Sequence, residues 1–428
     1  MAVRPPFLLA AAVLALLGVA PAAADLVIEL KDGRRFVLPL RPEEVARTFF
    51  TPEVAVPDRL QPLSPRPAGA DAGRPRFRVG PGAEFRTPSE AARVVPDGAV
   101  VEIEAGVYHD LALWRQSDLV IRGVDGRPIV DGGGRGYAGK AVWVIAGRGV
   151  VVENVEITGA AVPDHNGAAI RAEGGDLTLR RARLHGNEMG ILVSRDFAGT
   201  VRIEDSEIFD NRVDHERFGV PPGHNIYVSG GDRFELIGSW IHSPRSGHNI
   251  KSRARENDIR CNRIEDGRGA GSYAIDIAEA APTRILGNLL RQGPRAENHT
   301  ILAFGTEAPG TRGTPLLVAF NTFENALPDG LFVRVGGEAI AVFRNNLVLG
   351  AGRLLEGEAV AEGNLRFADT GEAELDPSTF TPLPTSAAVD AARGVSELPE
   401  CSYRAPVGTL PRRQHGRAAD VGAFEAQE

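Results

Sequence analysis

Residues 223–227 read Gly-His-Asn-Ile-Tyr and residues 247–253 read Gly-His-Asn-Ile-Lys-Ser-Arg, so the same tetrapeptide recurs after 24 positions. Strand-like stretches of alternating apolar residues surround the two copies at intervals of 23 to 33 residues, separated by Gly, Asn and Asp. Such a repeat without helical stretches is typical of a solenoid of stacked β-coils. We therefore predict that the two copies lie one above the other, one full turn apart. The aligned stretches end at Ile157, Leu184, Ile208, Ile241, Ile264, Leu290, Phe323 and Leu347.

A second series of short strands runs between these stretches, and its isoleucines align in one column. Isoleucines that fill the interior of the coils would leave the residues directly before and after them pointing outward. The aligned isoleucines are Ile170, Ile191, Ile226, Ile250, Ile275 and Ile301. The polar residues predicted to point outward on three consecutive coils are Asn225, Tyr227, Asn249, Lys251 and Asp276.

The N-terminal 24 residues predict a cleavable signal peptide. Arg4 gives a positive start, residues 7–19 are almost wholly apolar, and Ala22-Ala23-Ala24 provides small residues for cleavage. The alternative is an uncleaved membrane anchor. No later segment is apolar enough to span a bilayer, so we expect a secreted or periplasmic protein.

Four segments follow from composition and pattern. After the signal peptide at 1–24, residues 25–76 form an N-terminal extension with a Pro-rich linker, residues 77–368 form the solenoid, and residues 369–428 form a tail that packs along it. Thr87 can cap a short helix with Pro88 at its first position and Glu90 completing a capping box. Such a helix would cover the open end of the sheet stack.

The formal net charge of -8 argues against nucleic acid as a partner, because binding to phosphates needs a basic surface. An acidic chain is still compatible with a polyanionic substrate held in a locally basic groove. The two cysteines, Cys261 and Cys401, either form a disulfide or remain unpaired, with Cys261 buried in a strand. Their spacing with histidines does not match a zinc site.

Three features resemble the right-handed parallel β-helix proteins of the pectin lyase-like superfamily. They are the capped start from Val79-Gly80-Pro81-Gly82, the Asn before an apolar pair in several coils, and the endings at residues 383–391 and 420–425. The resemblance covers about residues 77 to 426 and implies an all-β, right-handed parallel β-helix solenoid of about ten coils. The superfamily includes lyases, hydrolases, epimerases, esterases and non-enzymatic proteins, so the resemblance does not fix an activity. We expect a monomer that binds an anionic polysaccharide.

Lyases and epimerases of uronates remove the proton next to a carboxylate, so they need positive charge and a base. Lysine suits proton transfer better than arginine, which does not lose its proton, but a neighbouring aspartate would hold the lysine charged and favour a histidine as base. The predicted catalytic residues are Lys251 and Arg253 for positive charge, Lys251, His224 or His248 as base, and Tyr227 as proton donor to the leaving oxygen. The predicted substrate-binding residues are Asn225, Asn249, Asp276, Tyr273 and His215.

The same residues also have a structural interpretation. Stacked asparagines form amide ladders, a Lys–Asp pair on a surface strand contributes little, and two histidines can bind turn carbonyls. A non-catalytic cell-surface or carbohydrate-binding scaffold is therefore the rival function. Hydrolysis would need two carboxylates on the groove, and only Asp276 is evident. No cofactor is certain, although calcium bound near Asp276 and Glu279 is a candidate. Asp214-His215-Glu216 resembles the Asp-Pro-His-Glu/Asp element of mannuronan epimerases but lacks its proline.

Overall fold

A computed structural model describes residues 26–29, 35–38, 71–308, 314–394 and 397–427. The predicted signal peptide and most of the linker lie outside these residues. In the N-terminal compact unit, the strands Leu26–Glu29 and Arg35–Leu38 pair in antiparallel fashion. All other described residues belong to a second compact unit, which contains the coils of the predicted solenoid.

The second unit is built from three long parallel sheets, each visited once per coil. Sheet 1 contains Arg76–Val79, Val100–Glu104, Val120–Val124, Arg148–Glu153, Gly175–Arg180, Ala198–Glu204, Arg233–Ile237, Asn257–Arg260, Thr283–Leu286, Pro315–Ala319, Ile340–Arg344 and Ala359–Glu362. Sheet 2 contains Val107–Tyr108, Ile129–Asp131, Glu156–Thr158, Arg183–His185, Glu207–Phe209, Trp240–His242, Arg263–Glu265, Leu289–Gln292, Thr322–Asn325, Leu347–Leu349 and Leu365–Phe367. Sheet 3 contains Ala112–Trp114, Ala141–Ile145, Ala168–Ala172, Met189–Val193, Ile226–Val228, Ile250–Ser252, Ile275–Glu279, Thr300–Ala308, Leu331–Val335 and Arg353–Glu356.

The all-β, right-handed parallel β-helix prediction is confirmed, and sheet 3 contributes ten strands to it. In sheet 3 the isoleucine column is correct from Ile170 to Ile275, and these side chains are fully buried. The last member is wrong, because Ile275 pairs with Leu302 rather than with Ile301. Ile301 and Leu302 are both apolar and buried, so alternation alone could not choose the register. The same ambiguity explains why Phe323 pairs with Val348 and not with Leu347.

The corner from sheet 1 to sheet 2 explains the asparagines that recur in the sequence. The chain turns there through one left-handed residue per coil, such as Asn154 at φ 54° and Asn345 at φ 53°. In the later coils the residue after this turn is an asparagine, buried in all but the last of them, and its side-chain amide donates to the asparagine of the next coil. This amide ladder runs through Asn262, Asn288, Asn321, Asn346 and Asn364, with side-chain distances of 2.9 to 3.0 Å.

The first coil is closed by the predicted capping helix, Pro88–Val94. Thr87 is its N-cap, since the Thr87 hydroxyl accepts from the Glu90 N–H at 3.3 Å. The carboxylate of Glu90 accepts from the Arg86 N–H at 2.7 Å, which satisfies a further free donor. Beneath the helix, the buried rings of Trp114 and Trp143 pack edge to face with centroids 5.6 Å apart.

The C-terminal segment covers part of the outer face of sheet 2. Leu375, Phe380 and Val421 pack there against Leu289 and Leu349 in one buried apolar cluster. The strands Cys401–Tyr403 and Thr409–Pro411 form a small antiparallel sheet within this segment.

A disulfide between Cys261 and Cys401 ties this segment to the corner of a central coil, with 5.9 Å between the two Cα atoms. The two cysteines are therefore paired, which decides between the alternatives left by the sequence. Among the residues that the structure describes, no helix is long and apolar enough to cross a membrane.

Candidate functional site

The outer face of sheet 3 carries the predicted polar column. Tyr227 pairs with Lys251, and Lys251 pairs with Asp276, so these three residues are neighbours on consecutive coils. The prediction that the two Gly-His-Asn-Ile copies stack one coil apart is confirmed by the pairing of Ile226 with Ile250. Their stacking follows from the 24-residue spacing, which is one full coil at this point.

Lys251 lies at the centre of a network of opposite charges. Its ammonium group donates to Oδ2 of Asp276 at 3.0 Å and to the carboxylate of Glu307. The side chains of Lys251 and Asp276 are 11% and 2% exposed, so this pair is largely removed from water. An ion pair with so little access to solvent is held in one geometry. The structural interpretation of the sequence had instead assumed a solvated Lys–Asp pair, which contributes little to stability.

Arg253 brings a second cation to the same place. Its guanidinium contacts Glu279 at 2.8 Å and the carboxylate of Glu307, and its Nε donates to the Tyr227 hydroxyl at 3.3 Å. Lys251 and Arg253 thus converge on the single carboxylate of Glu307. Lys251 lies in the strand Ile250–Ser252 and Arg253 is the first residue after it. Residues two positions apart in an extended chain point to the same face, so the two side chains lie side by side.

Glu307 is not among the residues that the sequence pattern predicted for this cluster. The strand Thr300–Ala308 contains a register shift, so that Glu279 pairs with Ala308 although Ile277 pairs with Phe304. Gly305, at φ +65°, lies within the shifted part of the strand. The irregular segment lets the Glu307 side chain reach back past the coil of Asp276. Gly305 is a sequence signal for an irregular strand, because glycine favours a positive φ. The sequence does not show in which direction the bulged strand turns its side chains.

The charges in this cluster alter each other's proton affinities. Burial by itself would lower the pKa of Lys251, but Asp276 and Glu307 outweigh burial and raise it. Burial likewise opposes the charge of Arg253, yet its bonds to Tyr227, Glu307 and Glu279 raise its pKa. The pKa of Glu307 is lowered, because hydrogen bonds from the two cations outweigh its desolvation. Lys251 and Arg253 are therefore both charged while Glu307 contacts them.

The predicted histidines form a ladder of stacked rings beside this cluster. The ring of His224 stacks on that of His248 at 4.8 Å, and His248 stacks on Tyr273 at 4.9 Å. Each histidine Nδ1 accepts a backbone N–H from the next coil. The His248 N–H donates to His224 at 3.0 Å, and the Tyr273 N–H donates to His248 at 3.1 Å.

These bonds make both histidines poor bases. Since Nδ1 accepts a hydrogen bond, the proton of the neutral ring must sit on Nε2. Nε2 of His248 lies 3.5 Å from Asp276. Burial, with the positive charge of Lys251, lowers the pKa of His248 to about 3, and burial with its neighbours lowers the pKa of His224 well below the usual value. The sequence-based preference for a histidine base is not supported by this geometry.

Two predicted substrate-binding residues point the wrong way. Asn225 and Asn249 are fully buried, whereas the sequence placed them outward. Their amides belong to a second ladder, in which Asn211 donates to Asn225 and Asn225 donates to Asn249, each at 2.9 Å. Both residues stand just before their strands at the corner from sheet 2 to sheet 3, where strand alternation does not apply. The structural interpretation of these asparagines is therefore correct.

His215 is the first residue of the short helix His215–Phe218, in the insertion before Gly223. Asp214 caps this helix by accepting from the Arg217 N–H at 3.4 Å and also pairs with Arg212 at 3.5 Å. The described contacts give Asp214 a structural role. They do not bring His215 to Lys251, so its predicted role in substrate binding stays a prediction.

The candidate calcium ligands are already engaged. Asp276 pairs with Lys251 and Glu279 pairs with Arg253. Within the described ranges, no group of three or more His, Cys, Asp or Glu side chains is arranged to hold a metal ion. These residues do not fit a calcium site, because each carboxylate is already neutralised by a cation.

Comparison with known proteins identifies the fold only. No family model and no curated sequence matches the chain. Among solved structures, the pectate lyase Pel9A matches with a TM-score of 0.60 at 17% identity, over 83% of this chain and 98% of its own. A rhamnogalacturonan lyase matches with a TM-score of 0.52 at 14% identity, over 68% of this chain and 87% of its own.

Proposed function

We propose that this right-handed parallel β-helix of the pectin lyase-like type acts on an acidic polysaccharide and cleaves uronate linkages by β-elimination. The names of the two structures with similar folds support a polysaccharide substrate. The charged cluster on sheet 3 supports the acidic character of that substrate. With its predicted signal peptide, the protein would work as a monomer outside the cytoplasm.

The observation that carries this proposal is the convergence of Lys251 and Arg253 on one carboxylate. The group they hold is that of Glu307, which is chemically the same as the carboxylate of a uronate. Glu307 is 43% exposed, whereas Lys251 and Arg253 are only 11% and 16% exposed. An incoming carboxylate can therefore replace Glu307 on a fixed pair of cations.

In the proposed reaction, Arg253 binds the uronate carboxylate and offsets the charge that develops on it. When Glu307 leaves, Lys251 loses one of the two carboxylates that raise its pKa. The Lys251 ammonium then releases a proton to solvent, and the resulting neutral amine takes the C5 proton. The electrons of the C5–H bond form the C4–C5 double bond while the C4–O4 bond breaks. Tyr227, whose oxygen accepts from Arg253, gives its proton to the leaving O4.

The decisive experiment incubates the purified mature protein with pectate, alginate and rhamnogalacturonan. We expect new ultraviolet absorbance from an unsaturated uronate with at least one of them. Solvent deuterium uptake at C5 without that absorbance would instead identify an epimerase. If neither signal appears with any polymer while binding is retained, β-elimination is refuted.

A second candidate is the non-catalytic scaffold or carbohydrate-binding protein. One observation favours it: Lys251 and Arg253 are both neutralised within the chain by Asp276, Glu279 and Glu307. A fully compensated cluster is stable without any ligand. For a scaffold, substitution of Lys251 would change the melting temperature but produce no change in any polymer.

A further inference from the structure

Four arginines occupy neighbouring positions on consecutive coils, away from the charged cluster of sheet 3. Phe209, His242 and Glu265 pair in register on sheet 2, and an arginine follows each of them three residues later. The next coil adds one more arginine in its own loop, four residues after Arg291. This arginine ladder consists of Arg212, Arg245, Arg268 and Arg295.

The four side chains line one open cleft on the sheet 2 side of these loops. Adjacent coils of a parallel β-solenoid lie about 4.8 Å apart, so loops on consecutive coils bring these cations together along the solenoid axis. Arg295 also donates to the carbonyl of Arg268, which links the last two loops. All four residues are exposed, and none of them belongs to the network around Lys251.

Only part of this positive charge is neutralised inside the protein. Arg245 pairs with Asp210, and Arg212 pairs with Asp214. Within the described part of the chain, neither Arg268 nor Arg295 has a carboxylate within 4.0 Å, the limit for an ion pair. A chain with a net charge of -8 thus carries a locally basic cleft, which favours an anionic partner.

Aromatic rings line the same cleft. Phe209 stacks on His242 at 4.8 Å, and Trp240 stacks on His242 at 3.9 Å. Trp240 is held in place because its indole N–H donates to Glu265 at 2.9 Å. A partner that combines apolar C–H surfaces with regularly spaced negative charges would match this lining. An acidic polysaccharide has both features along its whole length.

We propose that the arginine ladder and its aromatic rings form a second polysaccharide-binding surface, which anchors a polyuronate chain without acting on it. The identity of the polymer rests on the proposed function, but binding at the ladder does not require catalysis. Arg268 and Arg295 make the main contacts because no carboxylate competes for them. The cations on Arg212 and Arg245 contribute less, since each is already paired.

The test is affinity electrophoresis in gels that contain pectate or alginate, at low and high salt. All proteins carry Lys251→Met so that the polymer stays intact. We expect the double variant Arg268→Gln, Arg295→Gln to weaken retardation about three- to tenfold at low salt, as expected for two exposed charge contacts. The double variant Arg268→Lys, Arg295→Lys should recover most of the binding. The matched control Arg115→Gln, Arg148→Gln removes two exposed arginines elsewhere and should bind as the parent.

Unchanged retardation in the Arg268, Arg295 double glutamine variant would overturn the proposal. Equal, ladder-dependent retardation by single-stranded DNA would also overturn it, because the surface would then bind any polyanion. Product formation by the wild-type protein is measured separately. Loss of retardation without any product in the wild type would refute β-elimination yet support the ladder. Product formation by the wild type, together with unchanged retardation of the double glutamine variant, would support β-elimination and refute the ladder.

Discussion

Lys251 Nζ lies 3.0 Å from Oδ2 of Asp276, one coil further along sheet 3, and both side chains are almost completely buried. Two side chains that are 25 positions apart in the sequence are therefore held as one ion pair by the stacking of coils. Removing one partner of a buried pair leaves the other charge uncompensated. Substitution of either residue can therefore destabilise the fold as well as change the activity. The melting temperature of each variant must be measured together with its activity.

We expect Lys251→Met to reduce β-elimination by about 10²- to 10⁴-fold, which is the usual contribution of a positioned base. Lys251→Arg keeps the positive charge but cannot supply a neutral amine, so it should be almost as inactive. Initial rates with the responsive polyuronate test this, with thermal melting as the folding control. An active Lys251→Arg variant would show that Lys251 supplies charge only.

The rate of β-elimination should rise with pH in alkaline solution. Lys251 acts as a base only when it is deprotonated, and Asp276 and Glu307 raise its pKa above the usual lysine value. The fraction of neutral amine therefore grows only as the pH climbs toward that raised pKa. The measurement is kcat/KM against pH over the stable range. A rate that has already reached its plateau in mildly acidic solution would point to one of the buried histidines as base instead, because burial lowers the pKa of both.

Glu307→Gln should lower KM for a polyuronate several-fold, because it weakens the internal carboxylate that competes for Lys251 and Arg253. The same change removes one group that raises the pKa of Lys251, so the alkaline limb should move to lower pH. Glu279→Gln is the matched control, since Glu279 is exposed and contacts Arg253 rather than Lys251. Equal effects of both substitutions would contradict a special role for Glu307.

Asn288→Ala should destabilise the protein by about 2 to 4 kcal/mol, because it leaves several buried polar groups without partners. The Asn288 side chain accepts from the backbone and amide of Asn262, and it donates to Ile259 and Asn321. Asn364→Ala, at the partly exposed end of the same ladder, should cost less. Denaturant unfolding of both variants provides the comparison, and equal losses would contradict it.

Asp266→Asn should stabilise the protein at pH 8 by about 3 kcal/mol and have little effect at pH 4. Burial raises the pKa of Asp266 to about 6, so the folded state holds a proton that the unfolded state releases at lower pH. The native aspartate therefore costs stability as the pH rises through that interval. Asn retains the acceptor for the Gly293 N–H, which Asp266 now binds at 2.9 Å. Melting temperatures of both proteins from pH 4 to 8 give the result.

The β-helix fold and the stacking of three polar residues on sheet 3 could be predicted from the sequence. Strand-like stretches that recur once per coil stack in register, so Tyr227, Lys251 and Asp276, which follow the aligned isoleucines of three coils, became neighbours where the strands are regular. The capping helix followed as well, because Thr87 and Glu90 satisfy free donors within a few residues. These features depend on local geometry and on the period of the repeat.

The contacts outside that regular pattern became visible in the three-dimensional fold alone. Asn225 and Asn249 stand at corners, where alternation does not apply, and they are buried rather than exposed. Leu302, and not Ile301, continues the isoleucine column, because two adjacent apolar residues fit either register. Glu307 reaches Lys251 from a shifted strand, and Cys401 reaches Cys261 across 140 positions of sequence. Such contacts depend on where bulges and the C-terminal segment lie in space, and no periodic pattern encodes that.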